Sequence, residues 1–192
     1  MTTFVLHGGF TSTKNALNAG FYGEFSKYVS DGANILLIYF ARKDDEIPKL
    51  FEEDERNILE QAGNKKFEFT VASSNDFMEQ LKNANVLYMR GGDTDKLLGT
   101  LKQHPEFGKI IQGKVVIGSS AGAYVLAQYY YSGSKNGVFE GLGTVPVRVT
   151  CHYESKIMKR EADQKGVAAL EKYPQNLELI VLRDYEWKTI IL

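Results

Sequence analysis

Residues 114–123 have the sequence KVVIGSSAGA, and this stretch decides the expected fold. A short apolar strand runs into the pattern G-x-S-x-G at 118–122, and residues 123–130 continue with a helical pattern. A strand, this pattern and a helix in succession are typical of a nucleophile elbow, where a serine hydroxyl is exposed on a strained turn. Ser120 is therefore a candidate nucleophile, and the backbone N–H of Ala121 is a candidate oxyanion donor. A glycine-rich turn or an anion-binding helix N-terminus is the alternative.

Other short apolar runs flank this stretch on both sides, at 4–6, 35–40, 86–89 and 177–182. They are continuous rather than alternating, which is typical of parallel strands that are covered on both faces. Amphipathic helical patterns lie between them. We therefore expect one domain over 1–192, an α/β protein with a three-layer α/β/α sandwich around a mostly parallel sheet. Residues 67–71 alternate, which predicts an edge strand, and Ser74 is the expected N-cap of the next helix.

The composition excludes several classes of function. The chain of 192 residues has 23 Lys and Arg against 24 Asp and Glu, a net charge of −1, so we expect neither a nucleic-acid nor a membrane partner. We find no signal-peptide pattern at the start of the sequence, which predicts a cytoplasmic protein. One cysteine and three histidines leave little to bind a metal, so we expect catalysis without a metal or cofactor. The acidic run 52–55 is interpreted as a solvated helix face.

Candidate functional residues follow several predicted strands. We expect them to lie close together, because the carboxyl ends of parallel strands meet at one edge of a sheet. The loop after the strand 86–89 brings the N–H of Gly92 towards that edge as a second oxyanion donor, although Asp93 or Thr94 could simply cap the next helix there. His152 closes a strand at 147–151 and is the candidate base for Ser120. His7 at the end of the first strand and His104 before a proline fit that role less well.

These motifs together resemble peptidase family S51, which contains the aspartyl dipeptidases (peptidase E) and the cyanophycinases. The resemblance is carried by Arg90-Gly91-Gly92-Asp93-Thr94 with Leu97-Leu98, by Gly118-Ser119-Ser120-Ala121-Gly122-Ala123, and by His152-Tyr153. It implies a class I glutamine amidotransferase-like fold, related to flavodoxin-like sheets, and a serine peptidase. It also implies Ser120 as nucleophile, His152 as base, Gly92 and Ala121 as oxyanion hole, and Arg160 as the residue that receives an acidic substrate side chain.

The third member of the expected triad is open. Aspartyl dipeptidases have an aspartate about fifteen residues past the serine, where this chain has Ser134-Lys135-Asn136. Asp184 and Glu186 follow the strand 177–182 and are expected at the correct edge. Asp184 is our hypothesis for the orienting acid, and Glu186 and Glu140 are the alternatives. A turn between two antiparallel edge strands explains the stretch 184–186 equally well. The family also usually has Asn in place of Asp93.

Three hypotheses on function follow from these patterns. The first is a serine peptidase that cleaves a small peptide such as an Asp-X dipeptide. The second is an α/β-hydrolase esterase, for which His7-Gly8-Gly9 mimics an oxyanion loop, although only His152 follows Ser120 and the interval is short for that fold. The third is a non-catalytic protein of the same fold that binds a peptide or amino acid. A homodimer remains open.

Overall fold

A computed structural model describes residues 1–159 and 164–192 of the chain. The strands are β1 (Thr3–His7), β2 (Ala33–Ile38), β3 (Phe67–Val71), β4 (Val86–Met89), β5 (Val115–Ser119), β6 (Ala127–Ser132), β7 (Gly137–Glu140), β8 (Val145–Thr150), β9 (Glu178–Val181) and β10 (Trp187–Ile191). The helices are α1 (Ala16–Lys27), α2 (Ile47–Glu60), α3 (Phe77–Asn83), α4 (Thr94–Lys102), α5 (Phe107–Ile110), α6 (Ala121–Leu126) and α7 (Gln164–Glu171). None of these helices is long and apolar enough to cross a bilayer.

Six strands form the larger sheet, in the order β10-β1-β5-β4-β2-β3. All neighbours in it are parallel except β10, which pairs antiparallel with β1. Leu36 and Ile38 of β2 pack into one hydrophobic cluster, whereas Ile35 and Leu37 pack into another. Both faces of the sheet are therefore covered, which explains the continuous apolar runs and confirms the predicted layered α/β architecture. The predicted edge strand is confirmed as β3.

A second sheet of four strands, in the order β7-β6-β8-β9, was not expected from the sequence. The helix predicted over 123–130 ends at Leu126, and β6 begins at the next residue. Three consecutive tyrosines, 129–131, favour a strand, and they pair with β7 on one side and β8 on the other. The apolar run 177–182 also belongs to this second sheet, as β9. The strict alternation of strand and helix therefore breaks after α6.

The start of α3 corrects a smaller prediction. The N-cap residue is Asp76 and not Ser74, and its own side chain makes no capping hydrogen bond. Ser73 Oγ instead accepts the N–H of Asp76 at 3.2 Å, so a serine does fix this turn, but from one position earlier. The predicted serine lies within the turn before the helix.

Candidate active site

Ser120, the predicted nucleophile, follows β5 directly and has a strained backbone, with φ 51° and ψ −105°. These angles lie outside the regions that residues with a side chain normally adopt, and such strain is concentrated at functional sites. The turn is fixed from both sides, because Ser120 N–H donates to the carbonyl of His7 at 2.8 Å and its carbonyl accepts the N–H of Tyr124 at 2.9 Å. A Cβ at Gly122 would lie 2.5 Å from the carbonyl oxygen of Met89, so only glycine permits this packing.

The side chains of Ser120, His152 and Asp184 form a continuous hydrogen-bonded array. His152 Nε2 lies 2.9 Å from Ser120 Oγ, and His152 Nδ1 lies 2.8 Å from Asp184 Oδ1. Because an ionised carboxylate can only accept, we assign the ring proton to Nδ1, which leaves Nε2 to accept from the serine hydroxyl. The three residues come from different strand ends: Ser120 follows β5 of the larger sheet, and the other two follow β8 and β9 of the second sheet.

Asp184 is the acid that the structure pairs with His152, among the three that the sequence left open. Its second oxygen, Oδ2, accepts a hydrogen bond from Ser155 Oγ at 2.6 Å. Glu186 instead accepts the N–H of Arg183 at 2.8 Å. Glu140 is exposed at the end of β7. The stretch 184–186 does form a turn, as the alternative interpretation held, but that turn connects the edge strands of two different sheets.

The imidazole of His152 is held between the array and the loop after β1. The Phe10 ring meets it edge-on, with 4.9 Å between the ring centroids. Gly9, at φ +124°, lies against its other atoms so closely that a Cβ there would be 2.1 Å from His152 Cε1. The loop therefore restricts the ring to the orientation that reaches Ser120.

This loop is itself braced by His7, for which the sequence suggested the end of β1 or, with Gly8-Gly9, a mimic of an oxyanion loop. Asn18 Nδ2 donates to the carbonyls of Phe10 and Thr13, so its Oδ1 accepts from His7 Nε2–H at 3.1 Å. His7 Nδ1 accepts the N–H of Gly9 at 3.0 Å. Burial lowers the pKa of His7 to about 3, although the hydrogen bond with Asn18 opposes this shift, and the residue is neutral. This role was not predicted, because the sequence does not show that His7 is buried next to the side-chain amide of Asn18 in α1.

The two predicted oxyanion donors, Gly92 and Ala121, lie in the loop after β4 and directly after Ser120. Within residues 1–159 and 164–192, the backbone N–H groups of Gly92 and Ala121 donate to no acceptor. Gly91 brings the loop after β4 against the turn at Ser120, since a Cβ on Gly91 would be 3.0 Å from Ser120 Cβ. Asp93 caps α4, because its Oδ1 accepts the N–H groups of Asp95 and Lys96. The capping alternative for this loop is thus also correct, and it does not conflict with free N–H groups earlier in the loop.

A buried ion cluster under the site corrects the interpretation of the acidic run. Asp54 is fully buried, and its Oδ1 lies 2.7 Å from Arg90 Nη1. Glu53 Oε2 lies 3.1 Å from Arg90 Nη2, which also donates to Ser12 Oγ. Burial raises the pKa of Asp54, whereas hydrogen bonds from Ser12 and Arg90 outweigh partial burial and lower the pKa of Glu53. Glu53 and Asp54 of α2 are therefore ion-paired with Arg90, a residue far along the chain.

A cleft with a volume of about 490 Å³ opens over the array, within the size range of small-ligand sites. Phe10, Ile157 and Met158 are the large apolar residues of its lining, and Arg42 and Arg90 are its arginines. Arg160, the residue predicted to receive an acidic side chain, lies outside the described residues. In the part of the chain that the structure describes, no three His, Cys, Asp or Glu residues cluster in a way that could hold a metal ion.

The model of peptidase family S51 matches residues 4–191. The chain belongs to peptidase family S51. Membership of this family supports a peptidase and confirms the resemblance seen in the sequence.

Two solved structures resemble this S51 member over nearly its whole length. One is a peptidase from an acI-B1 Actinobacterium, with a TM-score of 0.70 and 19% identity over 99% of this chain and 83% of that chain. The other is a putative peptidase E protein from Listeria monocytogenes EGD-e, with a TM-score of 0.70 and 18% identity over 99% of this chain and 94% of that chain. No curated protein gives a match. The solved structures establish that this S51 member has the peptidase E fold.

Proposed function

We propose that the protein is a serine peptidase that cleaves small peptides through an acyl-enzyme on Ser120. The observation that carries the proposal is the hydrogen-bonded array of Ser120, His152 and Asp184, with 2.9 Å and 2.8 Å between the paired atoms. A nucleophile within hydrogen-bond reach of a base, which an acid in turn orients, is the arrangement that acyl transfer requires. The array opens into a cleft large enough for a small peptide.

In this mechanism the Ser120 hydroxyl attacks the scissile carbonyl while His152 Nε2 accepts its proton. The N–H groups of Gly92 and Ala121 donate to the oxyanion that develops on the carbonyl oxygen. His152 then gives the proton to the leaving amine, and the acyl-enzyme remains. Water, deprotonated by the same imidazole, releases the acid product and restores the serine. Asp184 keeps the proton on Nδ1 and stabilises the imidazolium.

The direct test is labelling with a serine-directed phosphonate, followed by peptide mass mapping and peptide hydrolysis assays. We expect the label on Ser120, and Ser120→Ala should lose both labelling and several orders of magnitude in hydrolysis. Ser30→Ala, at an exposed serine outside the cleft, is the matched control and should behave as the wild type. Wild-type hydrolysis in Ser120→Ala would refute the acyl-enzyme. A folded wild type that neither reacts nor hydrolyses would favour the non-catalytic binding protein.

We further propose Asp-X dipeptides as the substrate class, with Arg160 as the residue that receives the acidic side chain. A guanidinium and a carboxylate form a bidentate pair that an amide or a methyl group cannot match. Asp-X should therefore exceed Asn-X and Ala-X by about 10²-fold or more in kcat/KM. Arg160→Ala should remove most of this preference and leave hydrolysis of small neutral esters nearly unchanged. Lys156→Ala, at an exposed cation that precedes Arg160 in the sequence, is the control. Equal wild-type rates on Asp-X and Ala-X would contradict this specificity.

A further inference from the structure

Arg42 lies in the turn after β2, at the same sheet edge as the array, and lines the cleft over Ser120. Its backbone is fixed, because Arg42 N–H donates to the carbonyl of Tyr39 at 2.7 Å. The preceding carbonyl, that of Ala41, accepts the N–H of Asp93 at 2.9 Å. The turn is thereby joined to the glycine loop that contains the proposed oxyanion donor. The backbone of Arg42 is thus held in place in the lining of the cleft that also contains Ser120.

The side chain of Arg42, in contrast to its backbone, has few partners. Its Nε is buried and has no hydrogen-bond partner among the described residues. Its ion pair is with Glu46, at 3.8 Å from Nη1, which is longer than a hydrogen bond. The other oxygen of Glu46 already accepts the N–H of Lys43 at 3.0 Å. The side chain of Arg42 is 31% exposed, and Arg42 is part of the cleft lining.

The charges around the cleft favour an anionic ligand at this point. Arg90, the other cation of the lining, is already paired with the carboxylates of Asp54 and Glu53. None of the described residues that line the cleft is an aspartate or glutamate. Arg42 is therefore the cation of the lining with the weaker pairing, a single ion pair of 3.8 Å with Glu46. A buried guanidinium donor without an acceptor is costly, and a ligand acceptor would satisfy it.

We propose that Arg42 binds a carboxylate of the peptide substrate and so helps to set its specificity. The proposal rests on the peptidase function proposed above. The planar guanidinium matches a carboxylate with two parallel hydrogen bonds, which a neutral amide cannot reproduce. A dipeptide can offer this group from two places, the terminal α-carboxylate of the leaving residue or an acidic side chain on the acyl residue. Both sources have the same chemistry, and the substrates of the test separate them.

The test measures kcat/KM for four compounds: Asp-Leu, Ala-Leu, Asp-Leu-amide and Ala-Leu-amide. Each is assayed with the wild type, with Arg42→Gln and with Lys43→Gln, which removes a positive charge from the exposed neighbouring residue. Arg42→Gln should lose about tenfold or more on compounds that carry the recognised carboxylate and change little on those that lack it. A loss that follows the aspartyl side chain identifies the acyl side. A loss that follows the free α-carboxylate identifies the leaving side. Lys43→Gln should match the wild type.

A binding measurement separates this proposal from the proposed function. The four compounds are titrated calorimetrically into Ser120→Ala and into Ser120→Ala/Arg42→Gln. If the wild type cleaves none of them, the peptidase proposal fails, while a carboxylate-dependent loss of affinity in the double variant still supports Arg42. The Arg42 proposal is overturned if Arg42→Gln weakens all four compounds equally, if it weakens none, or if Ser120→Ala binds none of them.

Discussion

Asp184 accepts a hydrogen bond on each carboxylate oxygen, one from His152 and one from Ser155. The second bond fixes the plane of the carboxylate, so that Oδ1 faces the imidazole. Asp184→Asn should preserve much of this shape but present an amide to Nδ1, which favours the wrong imidazole tautomer. We expect a loss of up to about 10⁴-fold in kcat, measured on the best peptide substrate.

The two other acids provide matched controls for this substitution. Glu186 is engaged with the backbone of Arg183, and Glu140 is exposed on β7. Glu186→Gln and Glu140→Gln should therefore keep kcat within about twofold of the wild type. If one of them loses activity while Asp184→Asn does not, the acid of the array has been assigned to the wrong residue.

The residues of the array differ in how far the sequence could identify them. Ser120 is marked by a local pattern, strand and glycines included, and His152 by its place after a strand. Asp184 depends on β9 and β10 belonging to different sheets, and no short pattern encodes that. The burial of Asp54 was also missed, because its partner Arg90 is remote in sequence. A run of four acidic residues in a helix otherwise predicts exposure to solvent.

At the scale of elements, the loop between β1 and α1 determines where the imidazole of His152 can lie. Gly9→Ala would introduce a Cβ 2.1 Å from His152 Cε1, at a backbone conformation that alanine rarely adopts. The ring must move away from Ser120, so kcat/KM should fall by about 10²-fold or more, because a misplacement of 1 Å can cost that much. Hydrolysis assays and circular dichroism spectra of the purified variant check this.

The control for this prediction is another glycine, Gly23 in the middle of α1. A Cβ there would meet nothing within 4 Å. Gly23→Ala should leave kcat/KM unchanged and raise the free energy of unfolding by up to about 1 kcal/mol, since alanine favours a helix. Equal activity in Gly9→Ala and Gly23→Ala would mean that the loop does not restrict the imidazole.

The elements of the larger sheet were predictable because burial on both faces leaves an unmistakable run of apolar residues, as in β2 and β4. The second sheet was not predictable, because burial varies irregularly along its strands. In β6 half-buried residues such as Gln128 alternate poorly with buried tyrosines, and the run continues an apolar helix without a break. Where a helix ends and a strand begins at the next residue, local pattern cannot locate the boundary.

At the scale of the whole molecule, His7 couples stability to pH. Its pKa is about 3 in the folded protein and about 6.5 in an unfolded chain. Above pH 6.5 neither state binds the proton, so stability is unaffected. Below it the unfolded chain takes up a proton that the folded protein refuses, and the free energy of unfolding falls by about 1.4 kcal/mol per pH unit down to about pH 3.

Urea titrations at several pH values between 7 and 4 can isolate this contribution in the variant His7→Gln. Both proteins will lose stability in acid through their other groups. The wild type should nevertheless lose about 1.4 kcal/mol per pH unit more than His7→Gln below pH 6.5, although the variant starts less stable at pH 7. Parallel curves for the two proteins would show that His7 is protonated in the folded state.

The array spans two sheets, and its members are encoded in the order Ser120, His152, Asp184. During synthesis on the ribosome, the larger sheet can acquire β1 to β5 and the elbow long before the second sheet exists. The nascent chain then has a serine with neither its histidine nor its aspartate, and it stays inert until residue 184 has left the exit tunnel. Under the proposed mechanism, hydrolysis therefore waits for both the histidine and the aspartate, and shorter nascent chains carry an unactivated serine.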